Sequence, residues 1–451
     1  MKKCVSVLIC ISLIISCLCV SVLSNADEKI FDTSDFSLSS IEFTGQKIRI
    51  GYNFGNIFES TELRGSYTRP NFDNMADFIK YKETHMGDSQ MSEELIKYAK
   101  SIGIQAIRIP ITWFNVLEDE NGNLYSKNTW YSDIDTRRDA WFNGQIAPEF
   151  LARIKEVVDM IINNDMYVII NTHHDAAVNS SNAVNPIKFG SDVQTSTKYE
   201  GMTNQEQTIR YLTNIWGQVG EYFKDYGSKL LFEEYNEASN NSGSMTSNDT
   251  NASDAKEVTK TFIQLIRSQG SNNANRFLVL PNYGGVSFWN ADIWNGTTSN
   301  ESVFEYNQSI PSYDSADDKL IMTTHTYTSS GQMGSNISYA KSMMERTGCG
   351  AIIDEIGTLS NAPYSKEGIA VCKNIRKYSD ENEVACFYWD GDTSNLINRR
   401  YQTPISCEAL GGFVGKDLGE DKVYTDISQM LDEEQQSWIK LYSPDSNTEW
   451  G

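Results

Sequence analysis

Two glutamates, Glu237 and Glu355, each close an apolar run, and carboxyl groups so placed suit the cleavage of a glycosidic bond. Breaking an acetal needs a proton on the leaving oxygen and negative charge beside the developing oxocarbenium ion. One carboxyl must therefore start neutral and the other ionised, a division that environment can impose. Arg108, if close to Glu355, would favour its ionised form, and Tyr327 could donate a hydrogen bond to it. Once Glu355 is esterified its charge is gone, and Glu237 is then suited to act as base toward water.

Other polar residues end apolar runs in the same way: His173-His174-Asp175, Asn236-Glu237, His325-Thr326-Tyr327 and Trp389-Asp390. The chain has 4 histidines, and three of them lie at such ends. Neighbouring acids compete for the catalytic roles. Asp354 directly precedes Glu355, and strand alternation lets only one of the two face a common site. Glu233 shares the parity of Glu237 and reads as a buried structural acid, whereas Glu234 reads as turned outward.

The elements that must position these residues are eight β-branched runs: Ile48–Phe54, Ala106–Ile111, Tyr167–His174, Leu230–Glu237, Arg276–Tyr283, Leu320–Tyr327, Ala351–Gly357 and Ala385–Trp389. They are near-continuously apolar, as strands buried on both faces are. Amphipathic stretches separate them: Met91–Ile102, Phe150–Ile162 after Pro148, a helix opened by the capping box Thr203-x-x-Glu206, Ala255–Ser268, Ile337–Arg346, Ile369–Tyr378 and a last one from Ile427 to about Tyr442. Eight strands alternating with helices predict an α/β fold, a (β/α)8 TIM barrel forming a single catalytic domain, with a doubly wound open sheet as the alternative. Long segments after several strands carry Trp130, Tyr131, Trp141, Trp289 and Trp294, and in a barrel such loops surround the active site.

The chain has 451 residues and a formal charge of −22, which repels nucleic-acid phosphate and anionic lipid but is indifferent to a neutral substrate. Lys2 and Lys3, an apolar run from Cys4 to Leu23, and Ser24-Asn25-Ala26 read as a secretory leader over residues 1–26. An uncleaved membrane anchor is the alternative, and Ile14-Ile15-Ser16-Cys17 also has the look of a lipoprotein cleavage box. Residues 27–47 read as an N-terminal extension and 48–445 as the catalytic domain. Past the leader only Cys349, Cys372, Cys386 and Cys407 remain, without zinc-like spacing, so buried thiols with at most one bridge are expected. Neither a metal nor an organic cofactor is implied. A monomer with no stable membrane partner after leader cleavage is expected.

The ordered set of motifs resembles glycoside hydrolase family 5, the cellulase family, and is most similar to its subfamily 4 endoglucanases and xyloglucanases. The likeness runs from about Gly51 to Asp390. It rests on Gly51-Tyr52-Asn53-Phe54-Gly55-Asn56, Glu83-Thr84-His85-Met86-Gly87, Ile107-Arg108-Ile109-Pro110-Ile111-Thr112-Trp113, Asn171-Thr172-His173-His174, Phe232-Glu233-Glu234-Tyr235-Asn236-Glu237, His325-Thr326-Tyr327, Ile352-Ile353-Asp354-Glu355-Ile356-Gly357 and Tyr388-Trp389-Asp390. The resemblance implies Glu237 as acid/base and Glu355 as nucleophile. It further implies Asn236 on the sugar 2-hydroxyl, His325 against Glu237, Tyr327 against Glu355, and Trp389 as a stacking floor. At least one of His173 and His174 would bond sugar hydroxyls, with Asn53 and Asn56 as further candidates. Departures from the family pattern include Ala238 for Pro, Asp354 for the common Gly, and Asp390-Gly391-Asp392 for Asp-Asn-Gly. The function implied is a secreted endo-β-1,4-glucanase acting with retention on cellulose-like glucan, mixed-linkage β-glucan or xyloglucan. A β-mannanase or xylanase of the same clan, or a non-catalytic glycan-binding protein, are the alternatives.

Overall fold

Ala106–Ile109, Tyr167–Asn171 and Leu230–Glu233 are buried at every position, as strands covered on both faces must be. They are β2, β3 and β4 of a set completed by β1 (Ile50–Phe54), β5 (Leu278–Pro281), β6 (Leu320–Tyr327), β7 (Gly350–Gly357) and β8 (Ala385–Asp390). All neighbours pair in parallel and the sheet closes in the order β1-β8-β7-β6-β5-β4-β3-β2. This is the eight-stranded β/α barrel expected from the apolar runs, and the open sheet is excluded. The computed structural model describes residues 25–61, 74–84, 89–125, 133–176, 185–189, 196–238, 249–281, 309–358, 362–391 and 395–420.

The helices follow local chemistry. Ser92 caps Glu93–Ile102, and Gly103 ends it in the left-handed region at φ 107°. Pro148 opens Pro148–Asn163, and Thr203 with Glu206 forms a full capping box on Asn204–Tyr222. Asp249–Ser268, Ser330–Thr347 and Lys366–Asn382 each start earlier than the apolar periodicity, because their first turns are polar and carry no such signal. Met75–Thr84 and Ile134–Asn143 are helices that the pattern does not announce. Residues 1–24 of the expected leader, the expected helix from Ile427, and Trp130, Tyr131, Trp289 and Trp294 lie outside the described residues. Trp141 is fully buried in the core and so is not a rim residue. Cys349, Cys372, Cys386 and Cys407 are free thiols, three of them buried.

Residues two apart along a strand share a face, so the barrel interior is built in layers. The lower layer is apolar: Ala106, Ile169, Leu231, Val279, Ile321, Ile352, Ala385 and Phe387. Gly51 leaves room for the Phe387 ring, which a Cβ there would meet at 2.2 Å. The segment before β1 closes this end. Ser39 and Glu42 form a capping box on the helix Ser40–Gln46. That helix carries Phe43 under the barrel, stacked on Phe277 at 4.0 Å and edge-on to Tyr167 at 5.2 Å. Ser40 Oγ accepts a hydrogen bond from the Gly350 N–H at 2.8 Å.

Candidate active site

One layer above this floor the interior turns polar, and Arg108 is its hub. The guanidinium is fully buried. Its Nε and one terminal nitrogen donate to the two oxygens of Glu233, at 2.5 and 2.6 Å, the bidentate fork that suits a carboxylate. Its remaining donors reach Glu355 Oε1 at 2.8 Å, Asn53 Oδ1 at 3.0 Å and Asn236 Oδ1 at 2.9 Å. Arg108 thus ties β2 to β1, β4 and β7. Glu233 is the buried structural acid that its parity implied. Glu234 turns the other way, toward the helix layer, where its carboxyl accepts from Thr259 at 2.8 Å and burial pushes it well above the usual carboxylate range.

Asp354 does not behave as simple alternation predicts. Between β6 and β7 the register runs Thr324 to Ile353 and then His325 to Glu355. Between β8 and β7 it runs Cys386 to Ile353 and then Tyr388 to Ile356. Both neighbours therefore record one extra residue in β7, a β-bulge. Asp354 keeps the inward parity of Ile352, and the bulge swings Glu355 inward as well. Asp354 Oδ2 lies 3.6 Å from Arg108 Nε, and Oδ1 lies 3.3 Å from His325 Nε2. The expectation that only one of the pair faces the site is corrected: both do.

Glu237 stands just past β4, its side chain 20% exposed, against 6% for Glu355. His325 Nδ1 lies 2.7 Å from Glu237 Oε1 and 3.4 Å from Glu355 Oε2. Tyr327 O–H donates to Glu355 Oε2 at 2.8 Å. Burial pushes the Glu355 carboxyl up, opposed by the positive charge of His325 and Arg108. Burial disfavours charge on His325, yet Glu355 and Asp354 raise its imidazole well above the ordinary histidine value. Glu237, His325 and Glu355 each place one ligand-capable atom within 4.8 Å of the others. The histidine nitrogen is already hydrogen-bonded to Glu237, and Arg108 caps Glu355. The arrangement fits a shared proton better than a metal ion.

His173 lies beyond the end of β3 and is 2% exposed. Asn171 sets its tautomer. The Asn171 oxygen accepts from the Ile111 N–H at 3.1 Å, and its NH2 donates to Glu233 at 2.9 Å and faces His173 Nδ1 at 3.1 Å. Nδ1 is thereby the acceptor and Nε2 carries the proton, 3.9 Å from Glu355 Oε1. Burial, and then the charges of His174 and Arg108, hold the ring well below the usual histidine range, so it is neutral. His174 packs edge-on against His173 at 4.6 Å and is half-buried. Trp389 lies parallel to His173, centroids 5.7 Å apart, and is also half-buried. A Cβ at Gly55 would sit 2.7 Å from the Trp389 ring, and one at Gly391 would sit 2.8 Å from its Nε1, so both glycines shape the indole's seat.

Asn53 was expected to contact sugar and lies too deep for it. The residue is fully buried, its oxygen takes Arg108, and its NH2 donates to the Asp354 carbonyl at 2.6 Å. It braces the arginine and the bulge. Asn56, half-buried, holds a left-handed φ of 61°, and its N–H donates to Glu59. Asn236 gives its oxygen to Arg108, and its NH2 has no acceptor among the described residues. Asn171 and Asp354 are the site residues that sequence reasoning missed. Their parity with Ile169 and Ile352 would have placed them inward.

The sequence profile of cellulase (glycosyl hydrolase family 5) matches residues 72–395. Endoglucanase A of Clostridium longisporum is 24% identical over 423 residues, covering 87% of this chain and 70% of its own. Endoglucanase B of Clostridium cellulovorans is 22% identical over 399 residues, covering 82% and 74%. Among solved structures, a GH5-4 broad-specificity endoglucanase from Ruminococcus champanellensis with bound cellotriose superposes with a TM-score of 0.62 at 20% identity, over 84% of this chain and 98% of that one. A xyloglucan-specific endo-β-1,4-glucanase from a metagenomic library, in complex with cellotriose, superposes with a TM-score of 0.60 at 23% identity, over 83% and 98%. With a profile that spans most of the barrel, and as its motifs implied, this chain belongs to glycosyl hydrolase family 5, the cellulase family.

Proposed function

We propose that the chain is an endo-acting β-1,4-glucanase that hydrolyses β-glucan with retention, Glu237 serving as acid/base and Glu355 as nucleophile. One observation carries this reading: an oxygen of Glu237 and an oxygen of Glu355 lie within 4.8 Å of each other. A gap that narrow leaves little room for the intervening water of an inverting enzyme, whose carboxyls stand roughly 6.5–9.5 Å apart. The partners of each group support the division of roles. Glu355 receives Arg108 and Tyr327, both donors to a carboxylate. Glu237 is the more exposed of the two and reaches a leaving oxygen more readily.

In the first step the protonated Glu237 delivers its proton to the glycosidic oxygen as Glu355 forms a bond to the anomeric carbon and the aglycone leaves. In the second, Glu237 takes a proton from water, the water oxygen bonds to the anomeric carbon, and the ester to Glu355 breaks. The free NH2 of Asn236 suits the sugar 2-hydroxyl, and the Nε2–H of His173 suits a neighbouring one. Trp389 offers its face to the C–H side of a pyranose ring, with His174 beside His173 at the rim. The names of the relatives above and the cellotriose in two neighbouring structures favour a glucan over mannan or xylan. The leader-like residues 1–26 support secretion, and we read the working enzyme as a monomer.

A polysaccharide panel tests the substrate: carboxymethylcellulose, mixed-linkage β-glucan, xyloglucan, mannan and xylan, with the wild type, Glu237→Ala and Glu355→Ala. Cleavage of glucans by the wild type, lost in both variants, is expected. Preferential mannan or xylan cleavage would overturn the substrate. Near-normal turnover by either variant would overturn the roles.

A further inference from the structure

We propose that Asp354 is a positioning residue that keeps His325 doubly protonated, so that the acid/base Glu237 faces an imidazolium and not a neutral ring. This deepens the reading of Glu237 given above and rests on it.

The geometry is that of one ring held at both ends. His325 Nδ1 meets Glu237 at 2.7 Å, and Nε2 meets Asp354 at 3.3 Å. A neutral imidazole has one N–H and one lone pair, and whenever Glu237 is ionised it would turn that lone pair on one of the two carboxylates. Only the cation presents an N–H at both nitrogens and sets positive charge beside both carboxylates. Asp354 itself makes the same demand. It is fully buried, and neither of its oxygens has a hydrogen-bond partner of good geometry. A buried carboxylate in that position needs positive charge close by.

Arg108 cannot meet the need alone. Its fork is committed to Glu233, another donor goes to Glu355, and Asp354 is left at 3.6 Å. The interior thus sets one arginine against Glu233, Asp354, Glu355 and Glu237. His325 is the second cation within reach. The other groups around it agree. From β3, His173 is neutral and adds no competing charge. From β6 itself Tyr327 donates to Glu355, and β5, Leu278–Pro281, contributes no titratable side chain. Burial opposes charge on Asp354, and Arg108 and His325 nonetheless hold it below the ordinary aspartate value, as a true carboxylate.

The bulge makes this possible, since it admits a second inward carboxyl beside the nucleophile. Glycine at this position would leave Nε2 of His325 without this partner. An imidazolium there presents a positive charge and a donated N–H to Glu237 at 2.7 Å. Loss of Asp354 should therefore change the pH dependence of activity.

Histidine-selective 15N NMR reads the ring directly. The chain has 4 histidines, and His325→Gln identifies the signal. In the wild type both ring nitrogens of His325 should show imidazolium shifts at pH 7.5, and in Asp354→Asn they should split into the neutral pattern. A neutral ring in the wild type at that pH would overturn the proposal, whether or not the variant folds. In activity, the alkaline limb of kcat/KM on a soluble β-glucan should shift by about one pH unit in Asp354→Asn, the order of effect expected for losing an adjacent charge. A uniform fall in kcat with both limbs unmoved would reduce Asp354 to a packing role and overturn the proposal. Absence of hydrolysis on every β-glycan would defeat the functional reading, while the NMR titration would still decide the state of His325.

Discussion

The two ends of this barrel are made by the same strands and have opposite chemistry. At the N-terminal end Ala106, Ile169, Leu231 and Ile352 fill the interior, and Phe43 and Phe277 lie beneath them. One pleat further along, Ala106 gives way to Arg108, Ile169 to Asn171, Leu231 to Glu233 and Ile352 to Asp354. The dry floor is part of the electrostatics above it. Water is excluded from below, so each ion pair of Arg108 works in a medium of low polarity, where a satisfied network is strong and a broken one costly. The floor governs whether the barrel stays closed, and the layer above it governs which carboxyl carries a proton.

Substitutions at the two levels should therefore fail in different ways. The largest effect on activity belongs to Glu355→Ala, for which kcat should fall on the order of 10⁴-fold or more in steady-state assays, with a smaller loss of stability than Arg108→Met because Arg108 keeps its fork to Glu233. Arg108→Met strikes both properties. It leaves Glu233, Asp354 and Glu355 without their guanidinium, and denaturant unfolding should show a loss of about 3–5 kcal/mol together with collapse of activity. Phe43→Ala opens a cavity under the floor. It should cost a similar amount, about 3–5 kcal/mol, with kcat/KM unchanged at temperatures where the protein is folded. A large fall in kcat/KM there would show that the two layers are not separable. Gly55→Ala forces the Trp389 indole to move, and KM should rise by roughly tenfold with a smaller change in kcat.

A smaller difference between the two layers should appear in the pH dependence of stability. The folded-state value of His325 is raised, so the stability that it contributes is fully present below its ordinary value of 6.5 and is lost as pH rises through the folded value. Unfolding midpoints of the wild type should decline over that alkaline range. Asp354→Asn should flatten the decline, and Phe43→Ala should leave its slope unaltered.

Much of this was legible from residue types. The strands announced themselves because both faces are buried, and the runs ending in Glu237 and Glu355 marked the mouth. The bulge in β7 was hidden, since an extra residue shows only against the register of β6 and β8, which belong to other parts of the chain. Asn53 was misplaced for a related reason: a motif gives a position along a strand and not its depth, and Asn53 sits level with Arg108, under the cleft. The role of Phe43 escaped notice because the helix Ser40–Gln46 has only 7 residues, too few to display a periodic face. Asn171 could have been found, since it shares the inward parity of Ile169 and lies two residues before His173.

Glu355 as the nucleophile of a retaining reaction, with Glu237 as its acid/base, can be trapped chemically. Incubation with a 2-deoxy-2-fluoro-β-cellobioside bearing a good leaving group, followed by peptide mass spectrometry, tests it most directly. A stable glycosyl adduct on the peptide containing Glu355, at that residue, is expected, with turnover blocked in proportion. An adduct on Glu237 or Asp354, or rapid cleavage giving the inverted anomer with no adduct, would contradict it.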